Sequence, residues 1–154
     1  MSKITTVGIA GATGYAGQEL IRLAARHPGV RITAAMGSGE TEGLRSIPAL
    51  SRLWEGEVTP LSIEQLANKA EAVFLALPDS VAATIGPELI ERGVRVFDLS
   101  GAFRLQNPKQ RTRWYPATPT LTDPAVYGLT ELNRTALIGA RLIACPGCYP
   151  TAAL

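Results

Sequence analysis

The sequence predicts an α/β protein with a doubly wound parallel sheet, and two observations carry that expectation. Apolar, β-branched runs alternate with segments whose apolar residues recur at helical spacing, and the runs are apolar on both faces, as strands covered by helices on either side must be. A glycine cluster, "GIAGATGYAG", falls between the first strand and the first helix, the place where such folds bind a dinucleotide.

The elements follow in order. "ITTVGIAG" is a short β-branched strand ending in glycine, and "YAGQELIRLAARHPG" carries Leu20, Ile21, Leu23, Ala24 and Ala25 at helical spacing. "VRITAAM" is the next strand, "IEQLANKA" a short helix, and "EAVFLAL" a nearly continuous apolar strand. "VAATIGPELIERG" is a helix closed by Gly93, "VRVFDLS" another strand, and "RLIAC" adds one more near the end. Between the last two strands, "GAFRLQNPKQRTRWYPATPTLTDPAVYGLTEL" is rich in Pro, Thr and turn residues, and it reads as an excursion from the sheet on the substrate side.

A chain of 154 residues with 46% apolar and 18% charged residues suits one folded domain. The net charge of +2 comes from scattered Lys and Arg with no basic run, which argues against nucleic acid or an anionic membrane and for a small-molecule partner. No apolar stretch approaches the ~18 residues of a membrane span. The start, "MSKITTVGIAG", has no signal-peptide core, so the chain reads as cytoplasmic. Cys145 and Cys148 form a C-x-x-C pair, but zinc would want two further ligands. The chain offers only His27, at the end of the first helix, so no metal site is expected.

Gly8, Gly11, Gly14 and Gly17 recur at intervals of three. Glycine lets the backbone turn tightly and approach a pyrophosphate, while the helix start presents free N–H groups and a partial positive charge. Thr13 adds a hydroxyl donor. An NAD site usually places a carboxylate on the ribose about 20 residues past the loop. Here Met36, Gly37 and Ser38 occupy that place, and an uncharged, hydroxyl-bearing pocket accepts a 2′-phosphate, which favours NADP. Glu40 and Glu42 lie close by, and either of them turned inward would weaken the preference.

The second cluster is "LIACPGCYPTAAL". Cys148 lies between Gly147 and Tyr149 on a strand-to-helix turn, with Pro150 suited to the helix's first turn. A thiol there meets the positive end of the helix dipole, which favours the thiolate that attacks acyl carbon. Cys145 ends the apolar run and is expected to point into the sheet as an inert core residue. A nicotinamide cofactor together with a nucleophilic cysteine defines a reaction class, the reduction of an activated acyl group through a thioester.

"GATGYAGQELIRLAARHP", "VFLALP", "VFDLSGAFR", "VYGLTEL" and "LIACPGCYPTAAL", in this order, resemble the N-acetyl-gamma-glutamyl-phosphate reductases of arginine biosynthesis, from Thr6 to Leu154. "PGCYPT" is the most specific part. Aspartate-semialdehyde dehydrogenases share the glycine loop and the cysteine chemistry, but the surroundings of their cysteine read differently. The resemblance implies that Cys148 attacks N-acetyl-glutamyl phosphate, expels phosphate and forms a thioester that NADPH reduces to the semialdehyde. It implies that Gly11, Thr13, Gly14, Tyr15 and Ala16 cradle the pyrophosphate, that Ser38 lies near the 2′-phosphate, and that Leu77 and Pro78 flank the cofactor. It also implies that Ser100 and Arg104 face the active-site cleft, Arg104 as a clamp for a phosphate or carboxylate, with a structural ion pair as the alternative.

Two departures accompany it. After "LALP" many members carry His-Gly, where this chain has Asp79-Ser80. The family pattern also continues into a substrate and dimerisation domain that supplies an acid–base histidine, whereas here the only histidine is His27. The expected organisation is therefore a Rossmann-type NAD(P)-binding domain over residues 1–145, with the cysteine turn and the start of a truncated second domain over 146–154. The complete protein is expected to be a homo-oligomer and this piece alone inactive. An aspartate-semialdehyde dehydrogenase-like acyl-phosphate reductase and a non-catalytic NADP-binding module are the alternatives.

Overall fold

The first β-branched run forms strand β1 (Thr5–Ala10), which pairs in parallel with β2 (Val30–Met36) on one side and β3 (Ala72–Leu75) on the other. The computed structural model describes residues 3–37, 47–115 and 124–154. Two compact units divide the chain, Met1–Ala76 and Leu77–Leu154.

In the first unit the sheet is covered by α1 (Tyr15–Ala24), a 3₁₀ turn at Pro48–Leu50 that the sequence reading did not anticipate, and α2 (Ile63–Lys69). β1 is the middle strand, and Ile9 and Ala10 on it have no solvent exposure. Ile9 packs with Ile21, Ala35, Leu50 and Val58, and Leu20, Ile32, Trp54 and Phe74 close over this cluster. Burying an isoleucine side chain contributes about 1.5–3 kcal/mol, so Ile9 and Ile21 fix how α1 lies on the strands. α2 starts with a capping box: Ser62 accepts from the Gln65 N–H, and the Gln65 side chain accepts from the Ser62 N–H.

In the second unit β4 (Arg95–Asp98), β6 (Leu142–Ala144) and β5 (Val126–Tyr127) form a parallel set in the order β4-β6-β5. α3 (Asp79–Glu91) packs on β4, and Gly93, at φ +82°, closes the turn after it as the sequence predicts. α3 begins two residues before the expected start because Pro78 occupies the cap and Asp79 lies in the first turn, where the helix dipole favours a negative charge.

The segment 101–132 departs from its expected role as a pure excursion. Its described part contains α4 (Pro108–Trp114), the edge strand β5, and the start of α5 (Thr130–Leu137). α4 forms because Asn107 accepts from the Lys109 and Gln110 N–H groups and Pro108 supplies a preset first turn. β5 is in register with β6, Val126 opposite Ile143 and Tyr127 opposite Ala144, and buried Ala125 and Leu129 anchor it at both ends. α5 is kinked at Asn133, whose side-chain amide donates to the Tyr127 carbonyl. The last helix is α6 (Cys148–Ala153). Among the described residues no helix is long and apolar enough to cross a membrane.

Candidate active site

The glycine loop of the first unit is tied down from behind. The Gly11 and Ala12 N–H groups both donate to the Met36 carbonyl at the end of β2, at 2.9 and 3.0 Å. Gly11 has φ +86°, a left-handed conformation that a side chain rarely adopts. Gly14 caps α1 without a side chain, and its N–H closes on the Gly11 carbonyl. Gly17 lets the helix settle on the loop: a Cβ there would lie 2.1 Å from the Gly11 carbonyl oxygen.

What this leaves free is a set of donors. Among the described residues nothing accepts the N–H groups of Thr13, Tyr15 or Ala16, and all three residues are exposed. The Gln18 side chain donates to the Thr13 carbonyl at 2.9 Å. Exposed N–H groups at the start of a ten-residue helix, with no side chain in the way at Gly14, fit a pyrophosphate. Ser38, expected near a 2′-phosphate, lies outside the described residues, as do Glu40 and Glu42. Leu77 and Pro78 follow β3; Leu77 is half-buried, and Pro78 is the exposed cap of α3.

In the second unit Cys148 is the first residue of α6, a free and exposed thiol. It borders an open cavity of about 570 Å³ whose other walls include Arg104, Leu105, Tyr115, Tyr127 and Tyr149. Among the described residues of that lining, Arg104 is the one basic side chain. Its Nε donates to the Cys145 carbonyl at 2.8 Å and its Nη2 to the Leu99 carbonyl at 2.7 Å. Its Nη1 faces Gly147, where a Cβ would be 3.1 Å away. Arg104 forms no ion pair among the described residues, and main-chain carbonyls hold the guanidinium at the cavity.

Ser100 is placed differently from Arg104. It is buried and does not line this cavity. Its hydroxyl donates to Asp98 Oδ2 at 2.8 Å and accepts from the Ala102 N–H, while its own N–H donates to Asp98 Oδ1. The physical reason is Asp98: a fully buried carboxylate at the end of β4 must be hydrogen-bonded, and Ser100 is the nearest donor. Burial still pushes the Asp98 carboxyl above its usual range, against the pull of Ser100 and Arg104.

Cys145 is half-buried, and burial, with the Asp98 charge adding to it, pushes its thiol up to about 11. It is thus an un-ionised thiol at neutral pH, in keeping with the inert role read from the sequence. His27 lies just past the end of α1, exposed, and its Nδ1 accepts the Gly29 N–H. Sequence reasoning missed Tyr115, Tyr127 and Asp79; the tyrosines stand in "RWYP" and "VYGL", inside the segment read as irregular, and carry no spacing signal.

The family model described as semialdehyde dehydrogenase, NAD binding domain, matches residues 6–140. The chain belongs to this family. Among its semialdehyde dehydrogenase relatives, the N-acetyl-gamma-glutamyl-phosphate reductase of Brevibacillus brevis is 47% identical over 153 residues, 96% of this chain and 44% of that protein. The protein of the same name from Halorhodospira halophila is 46% identical over 95% of this chain and 44% of its own length. The chain thus spans less than half the length of these relatives. Among solved structures, aspartate semialdehyde dehydrogenase II from Vibrio cholerae, complexed with ASA, superposes with a TM-score of 0.68 over 97% of this chain and 44% of that one, at 19% identity. That likeness is one of fold, and it bears out the parallel, Rossmann-type architecture read from the sequence.

Proposed function

We propose that this chain is the cofactor- and nucleophile-bearing part of an NADP-dependent N-acetyl-gamma-glutamyl-phosphate reductase. The observation that carries the reading is Cys148 on a cavity lined by the carbonyl-anchored cation Arg104, in a chain 47% identical to a protein of that name. A nucleophile beside a cation held by main-chain carbonyls suits an acyl phosphate, which is electrophilic at carbon and anionic at both ends.

In this reading the Cys148 sulfur, as thiolate, bonds to the acyl carbon, the carbon–oxygen bond to phosphate breaks, and phosphate leaves with the electron pair. Arg104 Nη1 steadies an anionic oxygen of the substrate. The phenols of Tyr115 and Tyr127 form two further walls of the cavity. Ser100 serves from behind, shaping the turn that carries Arg104. The Thr13, Tyr15 and Ala16 N–H groups hold the pyrophosphate, with Gly11 and Gly14 giving it room. Leu77 and Pro78 flank the cofactor, and Ser38 receives the 2′-phosphate in place of an acidic residue. When bound, the nicotinamide supplies the hydride that takes the thioester to the aldehyde level. We assign His27 no acid–base role, because its ring is held in the turn after α1.

The test uses the complete protein with N-acetylglutamyl phosphate and NADPH. Cys148→Ser is expected to abolish turnover and to leave NADPH binding intact. Retained turnover removes the nucleophile assignment, and faster turnover of aspartyl phosphate moves the reading to the aspartate-semialdehyde class. A kcat/KM for NADH equal to that for NADPH removes the Ser38 argument.

A further inference from the structure

The turn that carries Arg104 is held from a second direction. Asp79 Oδ1 accepts the Gly101 N–H at 2.7 Å, across 22 residues. Three neighbouring donors are satisfied locally: Ser100 N–H by Asp98, Ala102 N–H by the Ser100 hydroxyl, and Arg104 N–H by the Gly101 carbonyl at 3.2 Å. The bond from Asp79 therefore ties the turn to helix α3. Gly101 has no slack on its other side, since a Cβ built on it would come within 1.8 Å of the Tyr115 ring. The turn is pinned at Gly101 between a carboxylate and a ring, and three residues later Arg104 grips the Leu99 and Cys145 carbonyls.

We infer that Asp79 is a positioning residue: through the Gly101 N–H it sets the Gly101–Arg104 turn, and so places the guanidinium beside Cys148. Asp79 itself does not line the cysteine cavity. Its first-turn position on the 13-residue helix α3 steadies the carboxylate and hence the bond. Losing the bond leaves a buried N–H unpaired and frees the turn to relax away from the cysteine. Because misplacement of about an ångström costs on the order of 10²-fold, a small relaxation would be read at the site. The inference rests on the reductase reading only for its effect on turnover; the placement of Arg104 is testable without it.

The experiment is alkylation of Cys148 in the complete protein, without substrate or cofactor, by anionic iodoacetate and neutral iodoacetamide. A fixed cation beside the thiol favours the anionic reagent, so the ratio of the two rates reports where Arg104 is. Arg104→Ala should lower that ratio by about tenfold. Asp79→Ala should lower it several-fold, and Asp79→Asn, whose amide oxygen still accepts the Gly101 N–H, should restore it. If Asp79→Ala lowers the yield of folded protein, Asp79→Ser, too short to reach Gly101, gives the same reading. A ratio unchanged in both Asp79→Ala and Asp79→Ser overturns the inference, and so does a ratio unchanged in Arg104→Ala. Turnover separates the two claims. The same variants should raise KM for the acyl phosphate more than they lower kcat, and a shifted alkylation ratio with no N-acetylglutamyl phosphate turnover in the wild-type protein would reject the reductase reading alone.

Discussion

Arg104 donates its Nε–H to the Cys145 carbonyl at 2.8 Å, three residues before Cys148. The same guanidinium reaches the Leu99 carbonyl, so one planar group joins the loop after β4 to the loop after β6. A lysine's three donors sit on one nitrogen, without the planar fork whose separate nitrogens reach the two carbonyls here. Arg104→Lys is therefore expected to lower kcat/KM of the complete protein by about 10²-fold and to lower Tm, with the Kd for NADPH little changed. Steady-state kinetics with calorimetry checks this, and an unchanged kcat/KM would mean that charge alone suffices.

The two cysteines differ in environment, and this gives a second expectation. Cys148 is exposed, while the Cys145 thiol is half-buried and held near 11. Iodoacetamide at pH 8 should label Cys148 and spare Cys145 in the native protein, and should label both after denaturation. Peptide mass spectrometry reads the sites directly. Equal native labelling would show that Cys145 is as accessible as its neighbour.

The parts legible in the sequence are those whose signals are local. β1, the glycine turn and α1 follow one another without a gap, and three intervals of three residues plus one helical face are enough to place them. The Gly147-Cys148 turn is equally local. β5 is two residues long, so it has no period to read, and its existence depends on pairing with β6 sixteen residues onward. The Asp79–Gly101 bond is nonlocal in the same way, and no spacing rule links a helix start to a turn 22 residues later. Ser100 was legible as part of a site motif but not as the partner of Asp98, because the need for that bond arises only when β4 buries the carboxylate. α4 was legible in principle from Asn107 and Pro108, but a helix with no buried residue gives no apolar stripe to confirm it.

Gly17 tests the glycine loop more sharply than Gly11 or Gly14. A Cβ there would lie 2.1 Å from the Gly11 carbonyl oxygen and 2.8 Å from Ala12 Cα, both main-chain atoms that no rotamer change can move. Overpacking of this kind typically costs about 1–3 kcal/mol, and here relief requires shifting the turn itself. Gly17→Ala should lower Tm and weaken NADPH binding together, as calorimetry and fluorescence titration would show. Binding at full strength would mean that the turn tolerates a different helix approach.

Asp98 supplies a pH dependence with a definite sign. Its carboxyl is raised in the folded protein, chiefly by burial, relative to about 3.9 in an unfolded chain. Below that unfolded value both states are protonated and burial carries no ionisation penalty. As pH rises through the folded-state value, folding must bury a carboxylate, so this group's contribution to stability is lost. Asp98→Asn mimics the protonated form: its amide oxygen accepts the Ser100 N–H, although the Ser100 hydroxyl proton loses its acceptor. That loss is the same at every pH, whereas the ionisation penalty is not. The Tm of Asp98→Asn minus that of the wild type is therefore expected to become more positive from pH 4 to pH 8, whatever its value at either end. Carboxylates that do not interact with Asp98, such as Glu71 with its pKa lowered by Lys3, cancel in the difference. A flat difference across that range would mean that Asp98 titrates alike in the folded and unfolded chains and that Ser100 and Arg104 fully offset its burial.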